Sequence, residues 1–277
     1  MSKSISENKG FTIVEILVCL VLGSLLIACL FRTVISQQKI YTVQDQVVDA
    51  QQNIRVAIER MNQDVSMAGF GNPTRVLGLT GGVNGFTGVV TPTSNRVTIV
   101  GAFEQIRFTD GTPVLVSSVA GNTITLNHPT GEFDGAANKF ISMGGMESFI
   151  VQNQPTGTTT TLTLDQTPTN PVGKCIYKIK AISYDLGVEG GNSVLRVDDN
   201  TGGGPQVLAE NITSLTFKYF DGSSPPVETA VPANIRMIQV NVTGRTAMAD
   251  PDYKSNGGYR TRQAEFRIYL PNLGGTT

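Results

Sequence analysis

The chain has 277 residues, of which 16% are charged, and its formal net charge at pH 7 is −1. With so few charges of balanced sign it has no electrostatic attraction for nucleic acid, which is excluded as the main partner. Glycine is abundant at 30 residues, and threonine and asparagine recur in the last two thirds of the chain. This composition is typical of a β-rich, loop-rich domain outside the cytoplasm, and the length allows one large or two small domains behind an anchor.

A short polar leader, residues 1–10, precedes an apolar run at residues 11–31. A hydrocarbon layer about 30 Å thick needs about 20 apolar residues in a helix, so the run predicts one transmembrane helix. Lys3 and Lys9 precede it, and the positive-inside rule places the N-terminus in the cytoplasm and the head in the periplasm. Glu15 is the charged exception, and a charge at the membrane centre costs about 2.5–3.5 kcal/mol. Glu15 therefore needs a partner, or it must reach towards water at the helix start.

The three cysteines predict no disulfide framework within the chain. Cys19 and Cys29 lie ten residues apart in the apolar run, or about 15 Å along one helix. That separation is too long for a bridge within one helix. Cys175 has no second cysteine in the rest of the chain, so the membrane pair is interpreted as small buried hydrophobic side chains.

The helical pattern continues beyond the apolar run. Apolar residues recur at spacings of three and four from Ile40 to Ala68, which predicts one face of an amphipathic helix. No proline occurs between residues 11 and 68, and a glycine stop at Gly69 is followed by Pro73. We therefore expect one continuous helix over residues 11–68, whose apolar stripe packs against a β domain. A free coiled coil is the competing interpretation.

Two β-rich regions follow the helix. Residues 72–172 are rich in glycine, threonine and asparagine, with short alternating runs, and Gly121 and Asn122 predict a hairpin turn. Residues 173–277 show stronger alternation of apolar and polar side chains. Such alternation indicates strands with one face on a core and one in water, so we expect an antiparallel sheet covered on one face by the helix.

The run G-F-T-I-V-E at residues 10–15, with the basic leader before it and the apolar helix after it, resembles the processing site of type IV prepilins. The resemblance implies that a prepilin peptidase cuts after Gly10 and that the new first residue, Phe11, is N-methylated. It also implies that Glu15 is retained and pairs with the positive N-terminal amine of a neighbouring subunit, which aligns the two helices during assembly. Before assembly the helix would lie in inner-membrane lipid.

Residues 55–71, RVAIERMNQDVSMAGFG, resemble the end of the first helix in PilW-type minor pilins, where an acidic residue, here Asp64, is common. The strand order after residue 175 is similar to that of the same proteins and of the J-type pseudopilin of type II secretion. The fold implied is α+β, the type IV pilin fold. It has a long N-terminal helix, first transmembrane and then amphipathic, packed on an antiparallel β-sheet with a large β-rich insertion. Its parts would be a leader (1–10), a transmembrane half-helix (11–31), an amphipathic half with its stop (32–71), a variable β-rich region (72–172) and a C-terminal sheet (173–277).

The function implied by the resemblance is that of a minor pilin. Such a protein joins other minor pilins and the major pilin in a complex that primes pilus assembly, first in the inner membrane and then at the pilus tip on the cell surface. A J-type pseudopilin remains an alternative, because its N-terminal helix works in the same way. A tip adhesin that uses residues 74–172 is another alternative, of a different class.

No catalytic residue, cofactor or metal site is expected. The sequence has no glycine-rich phosphate loop, no nucleophile elbow and no cysteine and histidine cluster, so an enzyme is not expected. The acidic runs 198–200 and 250–252 carry oxygen ligands of the kind that calcium prefers. Neither run has the spacing of a known calcium loop, and turn formation is the favoured interpretation of both.

Overall fold

The structure is a computed structural model that describes residues 12–79, 81–133, 139–153, 155 and 157–274. Gly10 and Phe11, the predicted processing residues, lie outside the described residues. The chain divides into two compact units, Met1–Val48 and Asp49–Thr277. The first helix contributes residues to both units.

Helix α1, Ile13–Ser66, has 54 residues and starts directly after Thr12. The Thr12 Oγ1 accepts a hydrogen bond from the backbone N–H of Glu15 at 3.3 Å. This bond satisfies one of the amides that every helix start leaves free. In the described part of the chain, α1 is the one helix long and apolar enough to cross a membrane. Its apolar segment fits a single-pass membrane anchor, as the sequence predicts.

Helix α1 ends just before the predicted glycine stop. The N–H of Ala68 bonds to the carbonyl of Val65 at 3.0 Å, a tight i→i−3 turn of the kind common at helix ends. This turn ends the regular helix at Ser66, two residues before the predicted end. Gly69 then has φ +79°, a conformation that glycine adopts without steric cost. The four-residue helix α2, Thr74–Leu77, follows.

Thirteen strands, all paired antiparallel, follow in the described part of the chain. They are β1 Val90–Pro92, β2 Arg96–Gln105, β3 Val116–Ala120, β4 Thr123–Thr130, β5 Phe140–Met143, β6 Glu147–Ile150, β7 Thr159–Thr163, β8 Ile176–Glu189, β9 Asn192–Asp198, β10 Gln206–Glu210, β11 Ile212–Phe220, β12 Met237–Arg245 and β13 Thr261–Tyr269. One sheet has the order β1-β2-β8-β5-β6, with β9 beside β8 and β10 beside β9. The other two are β11-β12-β13 and β3-β4-β7.

The C-terminal region does not form the single sheet that its alternation predicts. β8, β9 and β10 belong to the seven-stranded sheet, whereas β11, β12 and β13 form a sheet of their own. One residue, Asn211, separates β10 from β11, and its φ is +58°. Asparagine tolerates this left-handed conformation better than most residues do. The chain changes sheet at this bend, which the alternation within each strand does not encode.

The main core of the second unit lies where α1 meets the seven-stranded sheet and the C-terminal sheet β11-β12-β13. From Ala50 onwards the predicted apolar stripe of α1 is buried there, with Met61 and Val65 fully inaccessible to solvent, whereas Ile40 at its start is 53% exposed. These side chains cluster with Tyr184 of the seven-stranded sheet and with Phe217 and Val240 of the C-terminal sheet. The burial confirms that this part of the helix packs on a β domain.

Region 72–172 has two structural roles. β3, β4 and β7 form the small third sheet over a separate core that includes Ile124, Phe149 and Leu162. β1, β2, β5 and β6 belong to the seven-stranded sheet, in which β2 and β5 pair directly with β8. The predicted turn at Gly121 and Asn122 does connect β3 to β4. The region is therefore an integral part of the main sheet and not only an added module.

Gly101 allows β2 to pass close to the end of α1. A Cβ atom at this position would lie 2.6 Å from the carbonyl oxygen of Met67. Gly101→Ala is expected to lower the free energy of unfolding by about 1–3 kcal/mol, because backbone must move to relieve the overlap. Urea unfolding checks this, with Gly203→Ala as the control because nothing lies within 4 Å of its added Cβ. Equal stability of the two variants would contradict the prediction.

Candidate assembly site

Glu15 lies in the first turn of α1, and its side chain is exposed. It is the one charged residue between positions 13 and 31. Among the described residues, no hydrogen bond or ion pair reaches its carboxylate. The partial positive charge of the helix start favours a carboxylate at this point. In a membrane, a cationic partner would stabilise the carboxylate more strongly than the helix start does.

A shallow apolar groove runs along α1 beside Glu15. Cys19, Gly23 and Ser24 contribute to its lining, and nothing lies within 4 Å of the position where a Cβ of Gly23 would stand. The Ser24 hydroxyl donates to the carbonyl of Val21 at 2.8 Å, so its donor is already satisfied within the helix. Small residues let two helices approach closely inside a membrane. This face can therefore accept a second helix next to the carboxylate.

A buried carboxylate, Asp64, joins α1 to the seven-stranded sheet. Asp64 is 4% exposed, and its Oδ2 accepts a hydrogen bond from the Tyr184 hydroxyl on β8 at 2.5 Å. The same oxygen accepts a second bond from Arg60 Nε, one helical turn earlier, at 2.9 Å. A buried charge is tolerated only when it is paired and hydrogen-bonded. The three side chains therefore fix the position of this helical segment against β8.

Two buried tyrosines have pKa values raised above the usual range of a phenol. Burial raises the pKa of Tyr184 well above its usual range, and the neighbouring Asp64 carboxylate raises it further. Burial likewise raises the pKa of Tyr219, whose hydroxyl donates to the carbonyl of Thr93 at 2.8 Å. In the unfolded chain both phenols ionise at about pH 10. The stability that they contribute is therefore fully present below that pH and is lost as the pH rises further.

This linkage predicts the alkaline behaviour of the protein. The free energy of unfolding is expected to fall above about pH 10, by up to about 1.4 kcal/mol per pH unit for each phenol that stays protonated in the folded state. In Tyr184→Phe the fall is expected to be shallower, since one of the two phenols is missing. Urea titrations between about pH 8 and 12 measure both slopes. The same slope in the variant and the wild type would contradict this role of Tyr184.

The acidic runs form turns, as predicted. The Asp198 carboxylate accepts the backbone N–H of Asn200 at 2.8 Å, and Asp199 makes the same kind of turn one residue later. Asp250 accepts the backbone N–H of Asp252 at 3.0 Å, and it also accepts a hydrogen bond from the guanidinium of Arg260 at 2.9 Å. Each of these carboxylates therefore has a local structural role.

The sequence predicts that Glu15 needs a partner, but it does not single out two members of the Asp64 cluster, Arg60 and Tyr184. Of the three residues, only Asp64 is indicated by the resemblance to PilW-type pilins. One signal was available, because Asp64 interrupts the apolar stripe between Met61 and Val65. A carboxylate at such a position must find a donor in the core.

The comparisons with known proteins agree with the N-terminal pattern. Residues 5–30 match the family model described as the prokaryotic N-terminal methylation motif. The matched stretch contains Gly10, Phe11 and Glu15. No curated protein and no solved structure matches the chain. The motif and the long apolar helix support a type IV pilin-like protein, and they imply processing by a prepilin peptidase and assembly with other pilins.

Proposed function

We propose that this chain is a minor type IV pilin of the PilW type that takes part in priming pilus assembly. The observation that carries the proposal is the methylation motif followed directly by a membrane-length helix. The later part of that helix is the buried core element of a β-rich head. The buried Asp64, near the end of the helix, adds support from the resemblance to PilW-type proteins.

Assembly would depend on two charges near the start of α1. Cleavage after Gly10 creates a positive amine at Phe11, and methylation keeps that nitrogen basic. Glu15 supplies the negative partner, and the groove beside it gives a neighbouring helix room to approach. In the low dielectric of lipid, each unpaired charge is costly, so pairing between subunits is strongly favoured. The work of the protein is then specific contact and not catalysis.

Processing can be tested on the protein itself. The N-terminal peptide of the chain from its native membrane is expected to begin at Phe11 and to carry one methyl group on its N-terminal nitrogen. Gly10→Leu is expected to keep the leader and to stay unmethylated, whereas Lys9→Arg is processed normally. A wild-type chain that retains residues 1–10 would contradict the proposed processing.

The cellular role is tested by deleting the gene and counting surface pili. Priming predicts a marked loss of pili that the wild-type gene restores. Normal pili together with failure to release a secreted protein would favour the J-type pseudopilin. Co-purification of the chain with other minor pilins from mild detergent extracts is the matching biochemical result. A purely monomeric chain together with normal pili in the deletion strain would contradict the priming role.

A further inference from the structure

β13 is a long and regular edge strand. It forms one edge of the sheet β11-β12-β13, and no described strand lies beyond it. Its pairing with β12 runs without a register shift from Met237 opposite Tyr269 to Arg245 opposite Thr261. The strand contains no proline. An edge of this kind is a template for pairing with another chain unless something blocks it.

The outward backbone groups of β13 can be assigned from its hydrogen bonds. Leu270 donates its N–H to the carbonyl of Arg236 at 2.9 Å, and Thr246 donates to the carbonyl of Arg260 at 2.9 Å. Bonded and non-bonded pairs alternate in an antiparallel ladder, so the even-numbered residues of β13 face β12. The N–H and C=O groups of residues 261, 263, 265, 267 and 269 therefore point to the free edge. Among the described residues, no group accepts a hydrogen bond from these five amides.

Two other sheet edges in the described part of the chain are covered. At the outer edge of β7, the Asn153 side chain accepts the N–H of Thr163 at 3.0 Å and donates to the carbonyl of Thr161 at 3.3 Å. At the outer edge of β11, the N–H of Phe217 bonds to the carbonyl of Ser94 at 2.9 Å. β13 has no comparable cover in the described part of the chain. Within the described residues, the β13 edge is therefore free to pair with another strand.

The side chains along β13 define the chemistry of that partner. On the inner side, Ala264 and Phe266 are only half-buried at the rim of the main core. An added strand would cover their exposed parts. On the outer side, Glu265 and Arg267 are exposed and two residues apart. Opposite charges in directly facing positions stabilise a pair of strands.

We propose that β13 is a docking edge to which an extended segment of a different subunit adds as a fourth strand. The segment carries an acidic residue opposite Arg267, a basic residue opposite Glu265 and an apolar residue between them, beside Phe266. The inference rests on the proposed function in one respect, since the donor is another subunit of the same assembly. The backbone amides supply affinity, and the three facing side chains supply specificity.

A second copy of the chain is a weaker candidate, although its charges would match. Two β13 strands paired about Phe266 would place each Glu265 opposite the other copy's Arg267. The twofold axis of such an antiparallel pair is perpendicular to the sheet. Residues 49–66 of α1 pack on the inner face of this sheet, so the two helical segments would run in opposite directions. Both chains enter their heads from anchors that precede residue 49 in one membrane, so this pairing does not suit two anchored copies.

Hydrogen exchange tests the edge directly on the wild-type protein. The full-length chain is extracted in mild detergent with its bound minor pilins and compared with the same chain stripped of them by strong detergent. The proteolytic peptide that covers residues 261–269 is expected to gain about five protected amides in the complex, one for each outward N–H. Equal exchange of this peptide in both samples would overturn the proposal.

A proline variant tests the same edge without changing charge. Gln263→Pro removes one outward N–H and leaves the bonds to β12 in place, a substitution that edge strands tolerate. We expect about tenfold less complex from it, whereas Gln263→Thr, which keeps the N–H, assembles normally. Thermal unfolding of both variants shows whether the head is intact, and the exchange measurement decides the question if Gln263→Pro does not fold.

Two further outcomes separate the possible failures. In a chain whose three native cysteines are replaced by serine, Gln263→Cys combined with Tyr269→Cys, which would face each other in two β13 strands paired about Phe266, is expected to form no disulfide-linked dimer in the membrane. Such a dimer would show that a second copy is the occupant and would overturn the assignment to a different subunit. A wild-type complex with freely exchanging β13 amides defeats only this inference, whereas a processed chain that forms no complex defeats the proposed function.

Discussion

Replacing Glu15 by leucine is expected to reduce the amount of the chain found in assembled complexes or pili by about 100-fold. The substitution leaves the N-terminal amine of the neighbouring subunit without its partner in a medium of low dielectric. Leucine makes the helix more apolar, so insertion into the membrane should improve and cannot account for the loss. Immunoblots of sheared pili and of membranes, compared at equal total protein, measure the effect.

Two variants serve as controls for this result. Cys29→Leu makes a similar apolar change on the same helix and is expected to assemble normally. Glu15→Asp keeps the charge on a shorter side chain and is expected to retain part of the assembly. A Glu15→Leu chain that enters complexes at the wild-type level would contradict the pairing of Glu15 with a neighbouring amine.

Replacing Asp64 by alanine is expected to lower the free energy of unfolding by about 3 kcal/mol. The change leaves the buried Tyr184 hydroxyl without its acceptor and opens a small cavity between α1 and β8. Arg60 contributes less, because its side chain is 49% exposed and water can replace the carboxylate. Urea unfolding followed by the near-ultraviolet circular dichroism of tyrosine measures the loss.

A double-mutant cycle identifies the source of that loss. Tyr184→Phe alone is expected to cost about 1–2 kcal/mol, because it removes one of the two hydrogen bonds that Asp64 accepts. The combination with Asp64→Ala is expected to cost clearly less than the sum of the two single changes, since both remove the same bond. Additive costs would show that Asp64 stabilises the protein through other contacts.

The N-terminal helix could be predicted because its signals are local. The apolar run, the three-and-four spacing and the glycine stop each act within a few residues, and together they predict α1 to within two residues at each end. The charge of Glu15 is unusual in its immediate surroundings, so its need for a partner was visible in the sequence alone. The helical cap at Thr12 is equally local.

The division of the head into sheets could not be predicted in the same way. Alternation shows that a strand has a buried face but does not show which sheet buries it. The split at Asn211 depends on one left-handed residue, and the pairing of β2 with β8 joins residues about 80 positions apart in sequence. The hydrogen bond between Asp64 and Tyr184 also joins residues far apart in sequence. Of the two, only Asp64 can be recognised in the sequence, because it interrupts the apolar stripe.

Because β2 pairs with β8, an adhesive role of region 74–172 cannot be tested by simply deleting that region. Deletion of residues 74–172 would remove neighbours of β8 from the main sheet and would destabilise the whole head. Substitutions confined to the exposed face of β3, β4 and β7 are a sounder test. Loss of adhesion with normal piliation would then favour the adhesin.

The most direct test of the account is a structure of the assembled complex that resolves the starts of its helices. We predict a Glu15 carboxylate oxygen within about 4 Å of the N-terminal nitrogen of a neighbouring subunit, the usual limit for an ion pair. The chain itself should begin at a methylated Phe11. A Glu15 side chain that faces lipid or water, with every N-terminal nitrogen of the neighbouring subunits beyond that distance, would contradict the central claim.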